Sequence, residues 1–144
     1  MFVNVTALDQ ISHVISQATA PAFLLGAVAA FVSVLITRMN RIVDRSNVLI
    51  AISDDDATRS PLKAILPRLK WRVRLLHKAI EYAVIGGIFT IMLVIVAFTS
   101  AFLNFRHEWM TGLLFIVALF FLGTALLTLW REIRAALKDD DYHI

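Results

Sequence analysis

Three long apolar segments without any charge constrain the fold of this chain more than any other feature. They cover residues 18–37, 82–103 and 109–130, and none of them contains Asp, Glu, Lys or Arg. Each has about the ~20 residues that a helix needs to cross ~30 Å of hydrocarbon. Backbone N–H and C=O groups find no partners in lipid, and these runs do not alternate as barrel strands do. The sequence therefore predicts an all-α membrane protein with three transmembrane helices.

The composition excludes several other classes of protein. Of 144 residues, 59% are hydrophobic, 17% are charged and none is cysteine. Soluble domains are typically about 45–50% apolar and about 25% charged. A disordered chain, a disulfide-linked secreted domain and an ordinary soluble enzyme are therefore all excluded.

The distribution of basic residues predicts how the chain is threaded. Ten of the 14 Lys and Arg residues lie between spans one and two, and three more follow span three. Because cytoplasmic loops are enriched in Lys and Arg, we expect a multi-pass protein of the inner (plasma) membrane, with its N-terminus outside. The turn 104–108 would lie outside and the tail 131–144 in the cytoplasm. The net charge of +3 then reflects topology, and no nucleic-acid partner is expected. Aromatic residues typical of membrane interfaces stand at the span ends: Tyr82, Trp109 and Trp130.

The segments on either side of span one also have patterns that predict secondary structure. Residues 1–20 are predicted to form an outer amphipathic helix that Pro21 bends or breaks, so that span one proper covers 21–37. Residues 38–81 are predicted to form a cytoplasmic helical hairpin that extends spans one and two, with its turn near residues 53–61. A heptad stripe runs along the return helix and into span two, at Leu62, Leu66, Leu69, Val73, Leu76, Ile80, Ala83 and Gly87.

One face of span one combines small, hydroxyl and charged residues. Its members recur at helical spacing: Ala22, Gly26, Ala30, Ser33, Thr37, Arg41 and Asp44. Small residues let helix backbones approach closely, so this face is typical of a helix-packing seam. The alternative is that this face lines a pore, with hydroxyls offered to water or ions and charged rings at the inner mouth. Three spans can scarcely enclose a conduit, so a pore would require a homo-oligomer.

Two further groups of charged residues are candidate sites. Four basic residues of the hairpin could bind anionic lipid or a protein partner: Arg68, Lys70, Arg72 and Arg74. His77 and Glu81 lie one helical turn apart and could form a pH-sensitive pair, although an ordinary boundary ion pair explains them as well. Thr124 and Thr128 form a weaker hydroxyl pair, which we expect to bond back to its own helix.

Catalytic chemistry is not indicated. The four histidines are scattered along the chain, there is no cysteine to join them in a zinc site, and no Gly-rich phosphate loop is present. We therefore expect no enzymatic activity, no metal, no cofactor and no small-molecule substrate. The bilayer, with anionic lipid at its cytoplasmic face, and further copies of the chain are the expected partners.

Several motifs resemble a known family. They are Ile11-Ser-His13, Ala20-Pro21 through Leu25, the run Asn40-Arg-Ile-Val-Asp-Arg45, and Trp130-Arg-Glu-Ile-Arg134. Together they resemble the bacterial membrane proteins grouped as domain of unknown function 2721, over nearly the whole chain. The resemblance implies an N-terminal helix with proline, a basic helical hairpin and two further spans. It also implies that His13, Pro21, Arg41, Asp44 and Arg45 belong to the family pattern, but it carries no activity.

Two functions from different classes are compatible with these patterns. The first is an oligomeric pore or ion channel, with span one lining the conduit. The second is a non-conducting scaffold or accessory subunit, whose basic hairpin binds anionic lipid or a protein partner.

Overall fold

The computed structural model describes residues 3–103 and 108–140, with the side chains of residues 7–100 and 109–138, and these are helical apart from one connection. The helices are α1 (Val3–Ile50), a short 3-10 helix (Ser60–Ile65), α2 (Leu66–Leu103) and α3 (Glu108–Asp140). Each of α1, α2 and α3 contains a segment long and apolar enough to cross a membrane. The prediction of an all-helical chain with three such segments is therefore confirmed. The predicted turn 104–108 lies almost wholly outside the described residues.

Helix α1 runs without interruption through Pro21. Its 48 residues give a rod about 72 Å long at 1.5 Å per residue, well over the thickness of a bilayer. Of the two outcomes predicted for Pro21, a bend or a break, the break is therefore wrong, because residues 3–20 continue directly into the rest of α1. Proline removes one backbone hydrogen bond, but in an apolar setting the helix remains the conformation that satisfies most of the neighbouring peptide groups.

The buried side of α1 repeats every seven residues. Pro21, Val28, Leu35, Ile42 and Leu49 are all buried, and Leu35 has no exposed surface at all. A strict seven-residue repeat keeps one seam of a helix facing its partner, as in coiled coils. This seam packs against α2 from Val28 to Leu49, well past residue 37, so the helical extension predicted for span one is present.

The heptad stripe predicted for the return helix forms the matching seam on α2. Leu69, Leu76, Ala83 and Gly87 are buried. Leu66, Val73 and Ile80 are half-buried and pack against the same core. Only Leu62 leaves the stripe, because it lies in the 3-10 helix before α2 and is exposed.

Helices α2 and α3 approach each other closely through small residues. A Cβ added to Gly86 would lie 3.2 Å from the carbonyl oxygen of Ala118 and 3.0 Å from Cγ of Leu122. Ala118 and Ala125 are fully buried on the facing side of α3. The α2–α3 interface therefore depends on the absence of a side chain at residue 86.

The contacts between α2 and α3 also fix their relative depth. The ring of Phe121 lies 5.6 Å from the ring of Phe89 and 6.4 Å from that of Tyr82. Phe121 precedes Trp130 by nine residues, or ~13 Å of helix. Tyr82 is therefore not level with Trp130 at a common membrane interface, as its position at a span end had suggested. It lies beside the part of α3 between Phe121 and Trp130.

The connection between α1 and α2 is a compact polar turn. Oδ1 of Asp56 accepts hydrogen bonds from the backbone N–H groups of Thr58, at 3.1 Å, and Arg59, at 3.2 Å. Nζ of Lys63 donates to the carboxylate of Asp54. Pro61 stands in the first turn of the 3-10 helix, where a missing N–H costs nothing. The predicted turn near residues 53–61 is confirmed.

The ion pair in this turn gives a prediction about protonation. The hydrogen bond and the positive charge of Lys63 lower the pKa of Asp54 below its ordinary value. Because the folded pKa is lowered, the pair contributes stability above the unfolded pKa and loses it as pH falls through the folded one. We expect Lys63→Ala to return the pKa of Asp54 to its ordinary value, measured by carboxyl NMR titration. Arg59→Ala removes a neighbouring cation that pairs with Asp56, and it should leave the pKa of Asp54 lowered.

Candidate functional site

A buried ion cluster joins all three helices at one end of the bundle. Its centre is Glu132 of α3, whose side chain has no exposed surface. Nε and Nη2 of Arg38, from α1, donate to Oε2 at 3.3 and 3.0 Å. Nε and Nη2 of Arg72, from α2, donate to Oε1 at 3.0 and 2.8 Å. We call these three residues the ion cluster, and the end of the bundle that holds them the basic end.

Arg38 and Glu132 lie just beyond the apolar segments of their helices, and Arg72 lies on the part of α2 that leads into its apolar segment. Packing of the three helices therefore brings the three side chains together. Arg38 directly follows the uncharged segment of α1, and Glu132 comes two residues after Trp130. Arg72 is on the side of α2 that faces α3 and is only 13% exposed, whereas Arg38 is 37% exposed. Long arginine side chains can reach such a carboxylate while their aliphatic stems stay against apolar surface.

In the ion cluster, one buried carboxylate is bonded by two arginines from the two other helices. Each carboxylate oxygen of Glu132 receives two guanidinium hydrogen bonds, so its desolvation is offset by four charge-assisted contacts. Because two cations pair with one anion, the ion cluster has a net charge of +1. The cluster holds α1, α2 and α3 in register, and its carboxylate is fully engaged by arginine.

The α1 face of small, hydroxyl and charged residues is not used by the chain's own packing. All seven residues of this face are exposed, from Ala22 to Asp44. A Cβ added to Gly26 would meet nothing within 4 Å. The hydroxyl of Thr37 donates to the carbonyl oxygen of Ser33 at 2.9 Å. At 100° per residue this face points away from the buried seam of Val28 and Leu35, so we call it the open face of α1.

The four basic residues predicted as one surface do not lie together. Arg68, Lys70 and Arg74 are exposed, but Arg72 is in the ion cluster. The prediction that Arg72 is a surface residue is therefore wrong. Residues 70, 72 and 74 are two apart on a helix, so the middle one faces nearly opposite to the others, and Glu132 draws it inward.

The remaining candidates form no larger site. His77 and Glu81 are both exposed, and Nδ1 of His77 lies 3.4 Å from the carbonyl oxygen of Val73 rather than at Glu81. Thr124 and Thr128 donate to backbone carbonyl oxygens one turn earlier, both at 2.8 Å, which confirms their predicted role. Within the part of the chain that the structure describes, no three His, Asp or Glu side chains could share a metal ion.

Sequence reasoning missed the ion cluster, although one signal could have indicated it. Glu132 stands between Arg131 and Arg134 in an otherwise basic segment that directly follows an apolar helix. An acidic residue in such a place is typical of a buried partner for basic residues on neighbouring helices.

These observations define the class of protein to which the chain belongs. Three apolar helices of membrane-spanning length, closely packed and clamped at one end, make it a multi-pass membrane protein. The chain belongs to the family described as protein of unknown function DUF2721, whose family model matches residues 18–140. No curated protein and no solved structure matches the chain.

Proposed function

We propose that this protein is an oligomeric membrane pore in which the open face of α1 lines the conduit. The observation that carries the proposal is that this face is exposed along its length while the opposite side of α1 packs against α2 from Val28 to Leu49. A face that carries hydroxyls and charges is poorly solvated by lipid tails, so a second copy or water is its favourable neighbour.

The order of residues along the open face supports a conduit. Near the middle of the membrane, Ala22, Gly26 and Ala30 allow close approach between copies. Toward the basic end, Ser33 and Thr37 offer hydroxyl oxygens, followed by the charges of Arg41 and Asp44. Hydroxyls at a constriction and charged rings at a mouth are the means by which pores select and pass ions. One layer of three helices cannot enclose such a path, so a ring of copies is part of the proposal.

The membrane and the orientation are part of the same proposal. We place the chain in the inner membrane of a bacterium, with the α1–α2 turn and the end of α3 in the cytoplasm. The support is the concentration of Lys and Arg between spans one and two and after span three. The mouth formed by Arg41 and Asp44 then faces the cytoplasm.

Thr37→Leu tests the conduit. If Thr37 lines the path, a bulky apolar side chain narrows and dries it, so single-channel conductance in planar bilayers should fall severalfold while the oligomer stays intact. Thr124→Leu is the matched control, because Thr124 makes the same hydroxyl-to-backbone bond on α3, away from the open face. Its conductance should equal that of the parent.

Self-association can be measured independently of conductance. The chain contains no cysteine, so Ser33→Cys introduces a single thiol on the open face. We expect it to form disulfide-linked dimers in the membrane, and Thr99→Cys, exposed on α2, to form far fewer. An intact oligomer that is silent under voltage, tension and pH steps would overturn the pore and favour the alternative of a non-conducting scaffold.

A further inference from the structure

An open groove lies between α1 and α2 on the outer side of the basic end. It has a volume of about 460 Å³ and is lined by Val43 and Ser46 of α1 and by Lys70, Val73 and Arg74 of α2. Its lining is mainly apolar, with two cations on one wall and a hydroxyl on the other. Among the residues whose side chains are described, neither Lys70 nor Arg74 has an ion-pair partner.

The depth of the groove matches that of a lipid headgroup layer. Lys70 and Arg74 flank Arg72, which bonds Glu132, two residues beyond Trp130. Trp130 is exposed, and the guanidinium of Arg134 stacks 4.8 Å above its ring. Exposed tryptophan beside arginine at the end of an apolar helix is typical of the membrane–water interface. The groove therefore opens where phosphates and glycerol groups lie.

We propose that this groove binds one acidic phospholipid, with its phosphate between Lys70 and Arg74 and the start of an acyl chain against Val43 and Val73. Two cations facing one anion provide the charge complementarity, and the apolar walls take the glycerol and chain. The hydroxyl of Ser46 is placed to donate to a headgroup oxygen. All five residues belong to one chain, so the site does not depend on the oligomer or on conduction.

The binding is tested on the full chain in neutral detergent by native mass spectrometry, with phosphatidylglycerol and phosphatidylcholine offered in turn. We expect one tightly held phosphatidylglycerol per chain and weaker binding of phosphatidylcholine. The double variant Lys70→Gln, Arg74→Gln should bind phosphatidylglycerol about 30-fold more weakly, from about a fivefold contribution per cation. The matched control Arg45→Gln, Arg131→Gln removes the same charge from exposed positions of α1 and α3 that do not line the groove, and it should bind like the parent.

Two further measurements distinguish lipid binding in this groove from non-specific electrostatic attraction and from binding of free phosphate. Ser46→Leu fills the groove without changing any charge, and we expect it to weaken phosphatidylglycerol binding as well, with helical content preserved by circular dichroism. Millimolar inorganic phosphate should not displace the lipid. Equal losses in the Arg45, Arg131 control, unchanged binding in Ser46→Leu, or displacement by phosphate alone would each overturn the proposal.

Discussion

Glu132→Gln should lower the free energy of unfolding by ~3 kcal/mol, since removing one partner of a buried ionic group leaves the other charges uncompensated. The variant keeps the size of the side chain but leaves Arg38 and Arg72 close together with no anion between them. Part of the repulsion is relieved because Arg38 reaches solvent, which places the loss at the lower end of the usual range for buried pairs. Titration of the purified protein with sodium dodecyl sulfate, followed by circular dichroism, measures the change.

Two controls distinguish the ion cluster from a general effect of charge. Asp55→Asn makes the same chemical change at an exposed carboxylate of the α1–α2 turn and should alter stability by less than about 0.5 kcal/mol. Replacing the whole cluster by Arg38→Met, Arg72→Met and Glu132→Leu should recover most of the loss, because no buried charge then remains unpaired. A Glu132→Gln protein as stable as its parent would show that the cluster does not clamp the helices.

Gly86→Val should destabilise the protein by ~2–3 kcal/mol, which is the usual cost of forcing extra atoms into a packed interface. The new Cβ would lie 3.2 Å from a backbone oxygen of α3, which can move only if the whole helix moves. The contact to Cγ of Leu122, at 3.0 Å, is easier to relieve because that side chain can rotate. The same detergent titration measures the loss.

The other glycines provide the controls for that variant. Gly123→Val on α3 makes the same change in helix propensity, and its Cβ would meet nothing within 4 Å. It should change stability by less than about 0.5 kcal/mol. Gly87→Val should fall between the two, because its Cβ would approach only a methyl carbon of Val28, at 3.3 Å. If Gly86→Val and Gly123→Val are equally stable, α2 and α3 do not pack through the Gly86 contact.

Local patterns were enough to predict the helices and one of their seams. An uncharged run of about 20 residues has few alternatives to a helix, and the seven-residue stripe from Leu69 to Gly87 shows which side of α2 is buried. The break at Pro21 was predicted wrongly because the rule for proline comes from helices in water, where exposed peptide groups have other partners.

The candidate site could be predicted only in part, because its contacts join distant parts of the chain. Arg72 looks identical to Arg68 and Arg74 in the sequence, and only the position of Glu132, 60 residues later, separates it from them. The open face of α1 was visible as a spacing of small residues, but its exposure depends on which side of α1 packs against α2. The relative depth of helices is likewise a property of their side-chain contacts.

The register of α2 against α3 has a consequence for the surrounding bilayer. Glu81 is exposed and directly precedes Tyr82, whose ring contacts that of Phe121, so it lies beside the apolar segment of α3 between Phe121 and Trp130. Hydrocarbon tails cannot solvate a carboxylate, so headgroups and water must dip inward along that side of the molecule, unless another copy covers it. We therefore expect a bilayer around a single chain to be thinner beside α2 than beside α3, which would give the protein an asymmetric footprint in the membrane.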